Sequence, residues 1–279
     1  MQIKERDYEL VEKILLGNGY FNTKQREFIE LTKSKTIVAG PGTGKTTALA
    51  AKIVLLLKNL NASNSKEGVC IITHTNVAVN EINNVLINTG IGSLNHPHFI
   101  GTIHEFFNRY CVLPFFKNKL KHNQLSFDND NENLEFYKSY LKRKNTWMND
   151  GVVEAISKRI IKSKLYLNTK DNTLDLYNST DWEKFDKHKS RMLEAKIMRK
   201  KQGFLIHDDT FLFSRCYLLE DKFKEILRMR FKYVFLDEFQ DTTPDGIELL
   251  DALFGTEKNI FRKLEILIKL SLIINQCLL

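Results

Sequence analysis

The sequence predicts an α/β fold: a parallel sheet with crossover helices, built around a phosphate-binding loop and interrupted by a mainly helical insertion. Three observations carry this. The run Thr36-Ile-Val-Ala-Gly-Pro-Gly-Thr-Gly-Lys-Thr-Thr47 leads from an apolar strand through a glycine-rich turn into a helix-prone segment, Ala48–Ile53. Short apolar runs at 69–73, 99–102 and 233–236 each end in polar residues, and helical segments separate them. From about Cys111 to Lys201 the pattern changes to long charged segments at helical spacing, far too long for a loop between sheet elements.

In chain order, residues 1–20 read as a short amphipathic helix with Leu10, Val11, Ile14 and Leu15 at helical spacing, ending at Gly17-Asn18-Gly19. Asn22 or Thr23 then caps a helix that carries Gln25. An amide makes two opposed hydrogen bonds and so matches the donor and acceptor edge of adenine. Alone, Gln25 would read as a surface residue; its place ahead of the loop favours adenine recognition.

In the loop itself, Gly40, Gly42 and Gly44 let the backbone curl until successive N–H groups point inward. With the positive end of the following helix they make a nest for a β-phosphate. Lys45 supplies a full charge to the β- and γ-phosphates, Thr46 offers its hydroxyl to Mg²⁺, and Thr43 and Thr47 complete the nucleotide-binding set. Ala39 stands where the pattern's first glycine would be, so the match is to its looser form. The expected ligand is ATP with Mg²⁺.

Val69–Thr73 and Phe99–Thr102 read as buried strands, each followed by a helix. Tyr233–Leu236 is a third, whose carboxyl end carries Asp237-Glu-Phe-Gln-Asp-Thr242. Asp237 would hold the metal, directly or through water; Glu238 is placed to orient and activate the attacking water; Gln240 would sense the γ-phosphate. Adjacent acids after a strand are also common as helix caps, and the phosphate loop upstream decides between the readings. Ligands of parallel sheets collect beyond the carboxyl ends of the strands, where all these clusters fall.

Composition is that of a soluble globular protein, 43% hydrophobic and 27% charged. No apolar run is long enough to cross a bilayer and the amino terminus lacks a signal-type apolar region, so no membrane partner and a cytoplasmic location are expected. Cysteines 70, 111, 216 and 277 have no paired spacing and read as reduced core residues. A formal charge of +8 favours a nucleic-acid partner only weakly. Basic runs at Lys138–Lys144, Lys158–Lys164 and Lys187–Lys201, interleaved with Tyr137, Tyr140, Trp147 and Tyr166, fit a phosphate-contacting surface or, run by run, solvated helix faces over core aromatics. The acidic, asparagine-rich stretch Ser126–Glu132 reads as an exposed connection. His74, His96, His98 and His104 lack a matching cysteine pair, which argues against zinc.

Taken together, Ala39–Thr46, Thr75-Asn76, Gly101-Thr-Ile-His104 and Asp237–Thr242 resemble, in order and spacing, the front half of a UvrD/Rep-type superfamily 1 DNA helicase. The resemblance implies a RecA-like lobe (subdomain 1A) over 1–110 and 203–263, a mainly helical subdomain 1B over 111–202, and no second RecA-like lobe. Phe204–Phe211 resembles the aspartate-rich segment that leaves 1B. The resemblance assigns Thr75, Asn76, Thr102 and His104 to contacts with single-stranded DNA, and small hydroxyl and amide groups at strand ends suit phosphate oxygens. Alone, His104 would read as a helix-capping or core histidine. Ile72–Asn80 and His98–Phe107 are most similar to the helicase-like subunit of the Gabija anti-phage system, which implies antiviral defence and a nuclease subunit as partner.

That family uses a second lobe to supply an arginine finger, base-stacking aromatics and the moving half of the motor. Without it, ATP binding is expected, but efficient DNA-stimulated turnover and unwinding are not. Leu264–Leu272 occupies the place of a family strand ending in Gly-Asp-Pro-x-Gln. One set of codons for it, read with an added A, gives Ile-Gly-Asp-Pro-Asn-Gln-Ala-Ile-Phe. The expectation is a single-base frameshift near Lys263 with an out-of-frame tail, 264–279; the alternative is a genuine apolar helix or strand. Three functions remain: an ATP-driven DNA translocase part, a non-unwinding ATP- and DNA-sensing module that regulates a nuclease, or an inactive fragment.

Overall fold

The computed structural model describes residues 3–40, 42–121, 124–127, 130–177 and 186–266. Contacts divide the chain into a sheet unit, running up to Phe106 and resuming at Lys222, and a helical unit, Phe107–Asp221.

The sheet unit begins with α1 (Glu5–Leu15), which buries Tyr8 and Val11. Leu10, expected on the apolar face, is 43% exposed. The buried stripe instead includes Glu12, which accepts from the Phe21 amide at 2.8 Å and pairs with Arg26 at 3.1 Å. A buried carboxylate is tolerated only with such partners, and apolar periodicity cannot register it. Asn22 caps α2 (Thr23–Glu30) through a reciprocal pair with Gln25, 3.0 Å one way and 2.9 Å the other. Strand β1 (Lys35–Ala39) leads through the glycine loop into α3 (Lys45–Ala62), which is buried without a break from Ala48 to Leu57. Such a helix belongs to the core and not to a surface.

Strand β2 (Gly68–Thr73) is fully buried and feeds α4 (Asn76–Asn88), capped by the Thr75 hydroxyl. Strand β3 (Phe99–Thr102) runs directly into α5 (Ile103–Phe107). There the Thr102 amide donates to Glu105 Oε2 at 2.7 Å, and the Glu105 amide donates to Thr102 Oγ1 at 3.3 Å. Gly101 leaves room for this box: a Cβ there would lie 2.6 Å from that same carboxylate oxygen and 2.7 Å from the Phe99 ring.

The helical unit continues through a π-helical turn at Asn108–Val112, α6 (Leu113–Leu120), a short strand β4 (Ser126–Phe127), α7 (Asp130–Lys144) and α8 (Asp150–Lys162). A hairpin of β5 (Lys164–Asn168) and β6 (Thr173–Tyr177) follows, then α9 (Lys189–Lys201), β7 (Phe204–Leu205), which pairs with β4, and α10 (Asp209–Tyr217). This unit begins at Phe107 and ends at Asp221, against an expected insertion of 111–202, and the hairpin was not expected. Ser126–Glu132, expected as a connection, holds β4 and the start of α7, with 128–129 outside the described residues. Tyr137 and Tyr140 are core residues, whereas Trp147 is 68% exposed under Arg191. Four lysines of the basic runs are paired with acids: Lys142 with Asp150, Lys144 with Glu194, Lys158 with Glu154 and buried Lys200 with buried Asp209.

The sheet unit resumes with α11 (Asp221–Arg230), β8 (Phe231–Leu236), α12 (Pro244–Phe254) and β9 (Ile260–Ile266). All five strands of the main sheet are parallel, in the order β1-β9-β8-β2-β3. Alternate side chains face opposite layers. Ile100 and Leu264 pack with α3, while Phe99 and Phe261 join Phe106, Phe231 and Phe254 in a ring cluster with neighbouring centroids 5.6–6.5 Å apart. Of the segment expected to be out of frame, Leu264–Ile266 form the end of β9; residues 267–279 lie outside the described residues. Cys70, Cys111 and Cys216 are free thiols, and Cys277 also lies outside. No helix among the described residues is long and apolar enough to cross a membrane.

Candidate nucleotide-binding site

A parallel sheet points all its strand ends the same way, so the segments after β1, β8, β2 and β3 share one edge. After β1, Gly42 and Gly44 take φ of +72° and +73°, values that L side chains rarely adopt. Thr43 folds its hydroxyl back to the Gly40 carbonyl at 2.8 Å. Gly44 caps α3, whose first turn carries Lys45, Thr46 and Thr47 and no acid. The positive helix end and its free amides are therefore left for an anion.

Two polar clusters far apart in the sequence, Lys45 and Glu238 by 193 positions, meet here. The Lys45 ammonium lies 3.1 Å from Asp237 Oδ1 and 3.0 Å from Glu238 Oε1. Both Lys45 and Asp237 are almost wholly enclosed. Burial raises the Asp237 carboxyl above its ordinary range, outweighing the charge of Lys45, which acts the other way. Asp237 Oδ1 has an ion-pair neighbour but no hydrogen bond of proper geometry. A buried carboxylate oxygen left so is the donor that a hard cation seeks.

Glu238 sits at φ +53°, ψ +48°. For a non-glycine residue this left-handed conformation costs about 1–3 kcal/mol and recurs at functional sites. Its second oxygen accepts from Gln240 Nε2, which also reaches Asp241. Gln240 therefore holds the Glu238 carboxylate directly.

The expected adenine reader is half engaged. Gln25 Oε1 accepts from the Asn22 amide, and Gln25 Nε2 donates to the Thr43 carbonyl at 3.0 Å. One N–H and one lone pair remain for a base. Beside it opens a cavity of about 280 Å³ lined by Asn22, Gln25, Phe28, Val38, Thr43 and Leu264, among others. Phe28, Val38 and Leu264 were not anticipated as site residues. Val38 reads as a buried strand valine, yet it is 47% exposed.

The four residues expected on DNA lie at or just after the carboxyl ends of β2 and β3, beside the Lys45–Asp237–Glu238 cluster on the same sheet edge. Thr75 and Asn76 are exposed at the start of α4; Thr102 and His104 are half-buried. Asp237 is tied to this side, since its amide donates to the Ile72 carbonyl at 2.9 Å. Among the described residues no three His, Cys, Asp or Glu side chains cluster as a metal cage, and His98 Nδ1 accepts from the Val69 amide instead. Mg²⁺ needs no such cage: one carboxylate, a hydroxyl, phosphate oxygens and water suffice, and Asp237 with Thr46 fits that set.

A glycine loop at a helix N-terminus, facing an acid pair at the end of a parallel strand one place removed across β9, defines a P-loop-type α/β protein. Residues 21–263 match the UvrD/REP helicase N-terminal domain, and the chain belongs to that family. It is 26% identical over 260 residues to a "Probable DNA helicase" of Mycoplasma pneumoniae, covering 87% of this chain and 46% of that protein. A "Probable DNA helicase II homolog" of Mycoplasma genitalium is 25% identical over 263 residues, covering 86% and 34%. One from Mycoplasma capricolum is 28% identical over 234 residues, covering 81% and 31%. The chain thus spans less than half the length of these relatives.

Proposed function

We propose that this chain is the ATP- and single-stranded-DNA-binding lobe of a UvrD-like helicase or translocase, in which ATP hydrolysis is coupled to DNA. The observation that carries the reading is Lys45 held between Asp237 and Glu238 at the mouth of the glycine loop. An ammonium already paired with two acids exchanges partners when a triphosphate enters. Amides of the loop receive the β-phosphate, Lys45 turns to the β- and γ-oxygens, and Glu238 is released to orient water and accept its proton. Asp237 and Thr46 would hold Mg²⁺, which supplies neutralising charge to the phosphate oxygens when bound. Gln240 keeps the Glu238 carboxylate aimed. Gln25 presents its remaining N–H and lone pair to adenine. Thr75, Asn76, Thr102 and His104 contact the strand's phosphates.

The experiment is a titration with Mg²⁺-ATP and an ATPase assay with and without a thymidine oligonucleotide. Binding, lost in Lys45→Ala, is expected, and DNA-stimulated turnover lost with it marks a translocase lobe; a folded protein that binds no ATP overturns the proposal. Binding without turnover identifies a sensing module instead. Subdomain 1B is read as the helical unit, Phe107–Asp221. The narrower role, a Gabija-like defence subunit acting with a nuclease, rests on the likeness of Ile72–Asn80 and His98–Phe107. Co-purification with such a nuclease and a drop in phage titre test it, and their failure leaves the nucleotide reading intact.

A further inference from the structure

Two helical turns beyond Lys45, α3 carries a second enclosed lysine. Lys52 is 3% exposed, and its ammonium donates to three main-chain carbonyls: Phe28 at 2.8 Å, Ile29 at 2.5 Å and Leu31 at 2.7 Å. These are carbonyls at the end of α2, where a helix runs out of internal donors; of the three, Phe28 also accepts from the Leu31 amide at 3.2 Å. No carboxylate among the described residues forms an ion pair with it. Its charged neighbours are Arg262 from β9, which donates to the same Leu31 carbonyl at 2.6 Å, and Glu30 of α2. At the opposite end of α2, Gln25 is bonded to the glycine loop through Thr43. The amide lies close over the loop, since a Cβ on Gly44 would stand 2.7 Å from Gln25 Nε2.

We infer that Lys52 is a positioning residue for purine discrimination: by gripping the carbonyl end of α2 it fixes where Gln25 stands against the base-side cavity. This rests on the nucleotide-site reading above. The phosphate contacts come from the glycine-loop amides and Lys45; α2 meets that loop through Gln25 at the Thr43 carbonyl, not at an amide. Base recognition passes through α2, and a hydrogen-bonding amide displaced by about 1 Å loses most of its discrimination. Lys52 therefore acts on which base is bound and leaves the grip on the triphosphate alone.

The test measures dissociation constants of the full chain for Mg²⁺-ATP, Mg²⁺-GTP and inorganic tripolyphosphate. In Lys52→Met the ATP constant rises about tenfold, while those for GTP and tripolyphosphate change less than twofold. Lys52→Arg, still a buried cation with several donors, recovers most of the ATP preference. In a Gln25→Ala background, Lys52→Met has no further effect on ATP. Should Lys52→Met not fold, Lys52→Gln is measured in its place, with about a threefold loss expected. Equal weakening of ATP and tripolyphosphate, or an effect that persists without Gln25, overturns the inference. A wild-type chain that binds tripolyphosphate but does not prefer ATP over GTP overturns it through the adenine reading. One that binds none of the three overturns the nucleotide site itself.

Discussion

Helix α3 holds two enclosed lysines in contrasting company. Lys45, at its first residue, meets two carboxylates. Lys52 meets three carbonyl dipoles and the positive charge of Arg262. A charge facing charges can trade partners, because an incoming anion replaces like with like. A charge facing main-chain carbonyls has no exchange of that kind open to it, since moving it strands the helix end. The first arrangement suits a group that handles ligand, and the second a group that sets where another element stands. A third lysine supplies the control: Lys196 in the helical unit donates to the carbonyls of Ile160 and Ser163 at the end of α8, far in sequence from any candidate site residue.

Replacing Lys45 has the largest effect. Lys45→Ala loses nucleotide binding and at least about 10³-fold in kcat/KM, read by titration and phosphate release. Glu238→Gln comes next: kcat falls about 10²-fold while ATP affinity holds or improves, because the amide no longer competes for the ammonium. A matching loss of affinity would mean that Glu238 serves the fold and not the chemistry. Lys196→Met sharpens the contrast with Lys52, since it lowers unfolding free energy by about 1–3 kcal/mol in a urea titration with the ATP-to-GTP ratio unchanged.

The last test is the dependence on pH. Burial, then Arg262, lowers the Lys52 ammonium to about 7, from 10.5 in an unfolded chain. Between those values the unfolded chain binds more protons than the folded one, so this residue's contribution to stability grows as pH rises from about 7 toward 10.5. Over the same window the neutral amine has two donors for three carbonyls, and the ATP preference declines. Opposite trends in wild type, both missing from Lys52→Met, are the expected pattern. Parallel trends would break the comparison.

The glycine loop and the acid pair were legible because backbone reversal, helix start and metal ligation each demand particular residues at fixed spacing. Strand neighbours were not. That β9 lies between β1 and β8 depends on pairing, and nothing in Ile260–Ile266 names its partners. The β5–β6 hairpin was written as alternating Leu165, Leu167, Leu174 and Leu176 around Asp171-Asn172, with Asn172 at φ +57°, but the surrounding lysines favoured a helical reading. Lys52 and Arg262 escaped for a plainer reason. A cation that caps a helix end from another element is spelled like one in water, and only its surroundings tell them apart. The same holds for Leu10, Trp147 and Val38, whose exposure is decided by what the rest of the chain covers.

The strand ladder runs one rung past the end of β8, where the Asp237 amide is bound to Ile72. The main chain of that aspartate is therefore anchored while its Oδ1, beside the Lys45 ammonium, makes no hydrogen bond of proper geometry. Immobilising a ligand arm ordinarily subtracts from the free energy of capturing a cation, and folding has already covered that loss here. The same rung joins the acid to the strand that leads into Thr75, so a tug at either strand end is felt at the other without any loop in between.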